Sequence, residues 1–258
     1  RSKGFAVFND HFRDALKGPW NNLEPGFIQA SLHKDRVKTG IMGSIDDFAD
    51  QPTEVLNYVA CHDGRTLWDR IVATTEDSNF YNDTILKAMN KLAAGIILTS
   101  QGVPFLHAGQ EMLRTKFGSH NSYNQPDKIN MIRWDYKQEN MDIFEYYKGL
   151  IKLRNDHPLF KMKSAAAIRK NLKFFEDLGY EVPEGCIAYQ LTRHDVPDKW
   201  REVIVLINPH HHPETFEIPD HKWVLVVDKE QAGTDIIKPV NQNKVELAPI
   251  SLKVMYRL

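Results

Sequence analysis

Near residue 160 the apolar pattern of this 258-residue chain changes from helices mixed with strands to strands alone. Before that point, Leu86, Met89, Leu92, Ala93, Ile96 and Ile97 recur at the spacing of a core-facing helix, predicted over Ile85 to Ser100 with Asp83 or Thr84 as its cap. A second helix is predicted from Ile143 to Asn155, ended by His157-Pro158. A shorter one, His11 to Lys17, starts at the cap types Asn9 and Asp10 and stops at Gly18-Pro19. Phe5 to Phe8, Val55 to Cys61 and Val103 to His107 are short apolar runs, the last two reading as strands, and Pro104 is tolerated near a strand's start. A polar loop runs from Gly109 to about Asp135. Beyond the change, Ile187 to Thr192, Glu202 to Ile207, Trp223 to Val227 and Leu252 to Tyr256 read as strands separated by turn residues, which predicts a small antiparallel β-sandwich over 161–258.

The strand–loop–helix rhythm of 1–160 makes this part α/β, and it is the rhythm of a (β/α)8 TIM-type barrel. A barrel needs eight units and only about three fit here, so the segment reads as the C-terminal part of a barrel, about strands 6 to 8, whose other part is a required partner. An open α/β sheet has the same periodicity. The 33 basic residues against 34 acidic ones show no basic excess of the kind nucleic-acid binders carry. There is no apolar run of ~18 residues to cross a membrane, and the first ten residues lack the apolar core of a signal peptide. Compartment is not legible. Cys61 and Cys186 are too few for a disulfide framework; both lie in apolar runs and read as buried free thiols.

His62-Asp63 follows directly on a predicted strand, the place where α/β folds carry their sites. An imidazole and a carboxylate there can grip neighbouring sugar hydroxyls, one donating and one accepting; the alternative is a plain Asp-Gly turn. His107 ends the next strand and reads as a packing residue. Glu111 and Arg114 are spaced to pair on a helical face. His210-His211-His212 invites a metal, but neighbouring histidines in a loop diverge and no Cys or carboxylate stands at ligand spacing, so a solvated loop is expected and no metal site is assigned. His-Glu-x-x-His, phosphate-loop and Gly-x-Ser-x-Gly patterns are absent.

Four segments in order then carry a resemblance. Asn57-Tyr58-Val59-Ala60-Cys61-His62-Asp63-Gly64-Arg65-Thr66-Leu67-Trp68-Asp69 resembles the seventh-strand motif of type I pullulanases, starch-debranching enzymes of the α-amylase superfamily. Phe8-Asn9-Asp10-His11-Phe12-Arg13-Asp14-Ala15-Leu16-Lys17-Gly18 is similar to their sixth-strand region. Ser100 to Glu111 with Leu113-Arg114-Thr115-Lys116 resembles the eighth strand and its loop. Asn121-Ser122-Tyr123-Asn124, Pro126-Asp127 and Ile129-Asn130 resemble the loop that follows. After His-Asp the family usually has Asn-His or Asn-Met where this chain has Gly64-Arg65, and often Glu where it has Ala60. These differences lie beside the site and bear on substrate preference rather than reaction class.

The resemblance implies a retaining glycoside hydrolase that cleaves α-1,6-glucosidic branch linkages in pullulan, amylopectin, glycogen or limit dextrins. Such enzymes place a carboxylate nucleophile and an acid about 5–5.5 Å apart. In the family both precede the sixth strand, so this chain alone is expected to lack them and to be inactive. The family's third carboxylate maps onto Asp63, a transition-state stabiliser, and His62 binds the same sugar. Arg114, Tyr123, Asn124 and Asp127 are candidate contacts to the α-glucan. No cofactor is required, and calcium binding is not readable. Other readings are a branching or glycogen-debranching relative, or a non-catalytic glycan-binding fragment.

Overall fold

The computed structural model describes residues 4–75 and 81–258. Strand β1 (Val7–Phe8) passes directly into helix α1 (Asp10–Lys17), because the Asn9 side chain accepts from the Phe12 N–H at 3.1 Å and caps it. Gly18, at φ +91°, closes the helix. Helices α2 (Phe27–Ala30) and α3 (Lys34–Ile41) lead to β2 (Val55–Asn57). Helices α4 (Leu67–Thr75) and α5 (Asp83–Thr99) lead to β3 (Val103–Pro104). The cap of α5 is Asn82, accepting from the Ile85 N–H at 3.1 Å, rather than Asp83 or Thr84; Asp83 stands in the first turn, where the helix dipole favours its charge. The single turns α6 (Asp127–Asn130) and α7 (Tyr136–Glu139) precede α8 (Met141–Asp156), which ends before Pro158.

The three short strands form one parallel sheet, with β2 in the middle. The strands predicted over Val55–Cys61 and Val103–His107 are shorter than their apolar runs. The Asn9 N–H donates to the Leu56 carbonyl at 3.0 Å and the Phe105 N–H to that of Asn57 at 2.8 Å. Beyond these the chain after β1 has already turned into α1, so Tyr58, Val59 and Ala60 are buried without a ladder partner in β1.

Side chains complete what the short ladders leave undone. Asn57 accepts from Asn9 Nδ2 at 2.9 Å and donates to the Gln101 carbonyl at 2.6 Å, and Asn9 Nδ2 also reaches Ser44 Oγ at 2.9 Å. Gln101 donates to the Leu159 carbonyl at 2.8 Å and accepts from the Met162 N–H at 3.0 Å. All four side chains are buried.

Helix α9 (Ala165–Asn171) opens the strand-rich part: β4 (Leu172–Phe174), β5 (Ile187–Thr192), β6 (Glu202–Asn208), β7 (Glu214–Glu217), β8 (Trp223–Val227), β9 (Lys238–Val240), β10 (Lys244–Leu247) and β11 (Ser251–Arg257). Six of them make an antiparallel sheet in the order β4-β5-β6-β11-β8-β9, and β7 pairs with β10 as a separate ribbon. Alternation gives the sheet two apolar faces. Ala188, Ile204, Leu206 and Met255 pack with Phe216, Val245 and Leu247 of the ribbon. Tyr189, Val205, Ile207, Leu252 and Val254 join the core that contains α1, α5 and α8.

Both regions therefore share apolar interior. A Cβ on Gly95 of α5 would stand 3.3 Å from Leu252 of β11, so glycine allows that close approach. Buried Arg154 donates to the carbonyls of Leu98, Ser100 and Gly102, placing a cation at the end of α5. His157 stacks on Trp200 with 3.4 Å between centroids, and Trp200 on Tyr256 at 4.1 Å. Asp198 meets His157 Nδ1 at 2.8 Å; burial would raise its carboxyl, but His157 and the N–H groups of Trp200 and Leu159 hold it below the ordinary range.

Removing the central amide of the parallel sheet strands polar groups on both sides. Asn57→Ala is expected to cost about 2–3 kcal/mol. Asn57→Asp should cost at least as much, since a carboxylate cannot donate to Gln101. Urea unfolding of the two variants checks this; unfolding midpoints equal to wild type contradict it.

Candidate active site

Beyond the C-terminal ends of β1, β2 and β3 the chain builds a charged rim. Arg13, on the first turn of α1, donates to Asp14 at 2.7 Å and to the Tyr58 hydroxyl at 2.5 Å. The Tyr58 hydroxyl donates onward to Asp10 at 2.6 Å. Lys17 ends the same helix almost fully buried, and its ammonium is pushed down to about 8 by burial first and by the Arg13 and Arg70 charges.

His62 and Asp63 stand exposed just past β2. Cys61, predicted to be a buried thiol, is only half-buried, because the chain has already left the sheet; it is unbridged, as is the fully buried Cys186. The Cys61 thiol donates to Asp63 Oδ1 at 2.5 Å. That bond is the largest influence on Asp63 and holds its carboxyl below the usual range against the opposing effect of burial, with help from its own backbone N–H and the His62 and Arg13 charges. Burial and the same bond push the thiol up. Asp63 is thus an ionised acceptor at neutral pH.

The loop after β3 supplies the other wall. Lys116 Nζ donates to the His62 carbonyl at 2.6 Å, and its backbone N–H to Asp69 Oδ2 at 2.7 Å; Thr115 binds Asp69 as well. The backbone carrying His62 is therefore tied to this loop. Trp20 closes the rim, packed against His120 with the two rings tilted at 60° and 4.6 Å between centroids. Gly64, at φ +66°, lies against it: a Cβ there would meet Trp20 Nε1 at 2.8 Å. The left-handed backbone favours glycine, and the indole as placed leaves no room for a Cβ.

Arg114 does not pair with Glu111. Glu111 Oε2 accepts from the Gly109 N–H at 3.1 Å, while Arg114 donates to His107 Nε2 at 3.2 Å, to the Ala108 carbonyl at 3.0 Å and to the Asn130 carbonyl. Asn130 in turn donates to the carbonyls of Ser122 and Gln125. Arg114 is half-buried and holds the loop; Tyr123, at 84% exposure, and the exposed Asn124 and Asp127 project from it. The folded chain thus brings His62, Asp63, His107 and Arg114 to one rim, with the three loop residues joined to it through Asn130. Sequence reading assigned no role to Arg13, Trp20, Tyr58, Asp69 or Lys116; four of these lie inside the motif segments, but their partners are distant in sequence.

Comparisons with known proteins bear on the chain as a whole. Residues 168–231 match the family described as the pullulanase all-beta domain. Over 95% of its length the chain is 37% identical to the pullulanase of Bacillus subtilis. It superposes on the pullulanase of Bacillus acidopullulyticus over 98% of its length, with a TM-score of 0.92 and 36% identity. The chain belongs to the pullulanase family. These are starch-debranching glycoside hydrolases. An Anoxybacillus pullulanase solved in complex with maltotetraose covers 98% of the chain at a TM-score of 0.88 and 32% identity. The chain spans about a third of the length of these pullulanases: 34%, 30% and 35% respectively.

His107 gives a direct test of the rim's electrostatics. A guanidinium only donates, so Nε2 is the acceptor and the proton sits on Nδ1. Burial, then the Arg114 and Lys116 charges, push the imidazole from 6.5 down to about 4. A nitrogen-detected NMR titration should find it neutral at pH 6, with a midpoint near 4. Between these values the unfolded chain binds more protons than the folded one, so this contribution to stability is lost as pH falls from about 6.5 to 4. His107→Gln should flatten that slope; an unshifted midpoint near 6.5 contradicts the assignment.

Proposed function

We propose that this chain is part of a retaining glycoside hydrolase that cleaves α-1,6-glucosidic branch linkages in pullulan, amylopectin, glycogen or limit dextrins. The observation that carries the reading is Asp63, held ionised by Cys61 beside His62 beyond the end of β2, within the segment that resembles the family's seventh-strand motif. Asp63 is the transition-state stabiliser. It grips hydroxyls of the sugar at the cleaved bond while that ring flattens toward the oxocarbenium-like state. His62 binds the same sugar, and Lys116 fixes the backbone that presents both.

Residues 1–160 are, in this reading, the last three strands of a (β/α)8 barrel, and 161–258 a β-sandwich domain. Both outer strands of the parallel sheet pair on one side only among the described residues. Val7 and Phe8 of β1, Phe5 just before it and Val103 of β3 are exposed, an apolar surface suited to the remaining barrel strands. The nucleophile and the acid come from that partner. The exposed ring of Tyr123 offers a flat face to a further glucose unit, with Asn124 and Asp127 as hydroxyl partners. Arg114 acts on substrate through the loop it holds.

In the full-length protein Asp63→Asn should lower turnover on pullulan by about 100-fold or more with the fold intact. Near-normal release of maltotriose by that variant overturns the assignment. The 258-residue chain alone should release none. Tyr123→Ala should raise KM for branched dextrin by about ten-fold while leaving kcat within two-fold; an unchanged KM removes Tyr123 from the site.

A further inference from the structure

Outside the rim, the histidine run of the β6–β7 loop gains partners that its sequence neighbourhood lacks. Cys186 lies just before β5, whose first residue Ile187 pairs with Ile207 of β6. That register carries the thiol to the start of the loop holding His210. One ligand atom each from Cys186, His210 and Glu214 lies within 4.8 Å of the others. Cys186 is fully buried and the other two are half-buried.

Asn208 pins the loop and also accepts from the Cys186 thiol at 3.7 Å. Asn208, at 0% exposure, accepts from the His210 N–H at 2.9 Å and donates to the carbonyls of His212 at 2.9 Å and Ala248 at 3.1 Å. The His210 ring is oriented too. Its Nε2 lies 2.7 Å from the Glu184 carbonyl, which can only accept, so the proton sits on Nε2. Nδ1 then carries the lone pair and accepts from the Ser31 hydroxyl at 3.1 Å, a bond that a metal would replace. An imidazole whose other nitrogen donates to a carbonyl is the usual state of a metal-binding histidine. The exposed His212 ring stacks on His210 at 5.0 Å; its Nδ1 lies 3.3 Å from both Glu214 Oε1 and the Pro213 carbonyl, which accept, so Nε2 carries its lone pair.

We propose that Cys186, His210 and Glu214, with His212 as fourth ligand, form a Zn2+ site. A mixture of thiolate, imidazole and carboxylate in a four-ligand set suits Zn2+, whereas Ca2+ and Mg2+ take oxygen alone. Metal-free, the Cys186 thiol is pushed up to about 12 by burial and by Glu214, and coordination releases its proton. The site is a clasp: it joins the segment before β5, the β6–β7 loop and the first residue of β7, and so holds the β7–β10 ribbon to the sheet.

The test uses full-length protein stripped with a chelator, with Zn2+ and, separately, Co2+ as the probe. Co2+ should give a thiolate-to-metal charge-transfer band that Cys186→Ser removes and Cys61→Ser leaves in place. Zn2+ should raise the thermal midpoint of wild type and not that of Cys186→Ser. His212→Ala, a change at an exposed ring, should weaken Zn2+ binding by about ten-fold or more. The proposal is overturned if no band forms, if the band survives Cys186→Ser, or if His212→Ala binds Zn2+ as wild type does. A band lost in Cys61→Ser but kept in Cys186→Ser overturns it as well, assigning the thiolate to Cys61 beside His62 and Asp63.

Discussion

A single buried amide, that of Asn57, holds the parallel sheet in register. Strands of two or three residues cannot be fixed by ladder bonds alone. Asn57 ties the start of α1 through Asn9 and the end of α5 through Gln101, and Gln101 passes the constraint to the turn after α8. Each of these side chains is buried with its polar atoms matched, so a slip of one strand would leave several groups unpaired at once. The rim residues inherit their positions from this frame: Arg13 sits one turn beyond Asn9, and Asp63 and His107 lie six residues beyond Asn57 and Gln101.

The rim itself works by opposed charges. Arg13, Lys17, Arg114 and Lys116 face Asp10, Asp14, Asp63 and Asp69 across the three loops. Their partners are mostly backbone carbonyls or one another, which leaves Asp63 as an exposed ionised oxygen pair supported from below. The Cys61 thiol is part of that support. A carboxylate that accepts one internal hydrogen bond keeps further lone pairs for sugar hydroxyls.

Helix positions were legible in the sequence because periodicity and caps act locally: α1, α5 and α8 fall within two residues of their predicted bounds. The long sheet strands were legible for the same reason, and β5 and β8 match their predicted bounds. Strand lengths near the site were not, since pairing depends on where the neighbouring chain turns away. Cys61 illustrates the limit: its apolar run says buried, but the residue lies past the last ladder bond. For Arg114, spacing pointed to Glu111, while the fold offered His107 and two carbonyls. The ties of Lys116 to the His62 carbonyl and of Arg13 to Tyr58 join residues far apart in the chain, and no local pattern announces them.

The contact of Trp20 with Gly64 limits what can be substituted at either position. At position 64 this chain has glycine, and the indole occupies the space that the first side-chain carbon would need. Substitutions at residues 20 and 64 are therefore expected to be non-additive: a side chain at 64 requires the indole to shrink or turn away. Because Trp20 also packs at a tilt against His120, a side chain grafted onto position 64 would be felt in three loops at once and would require residue 20 to change with it.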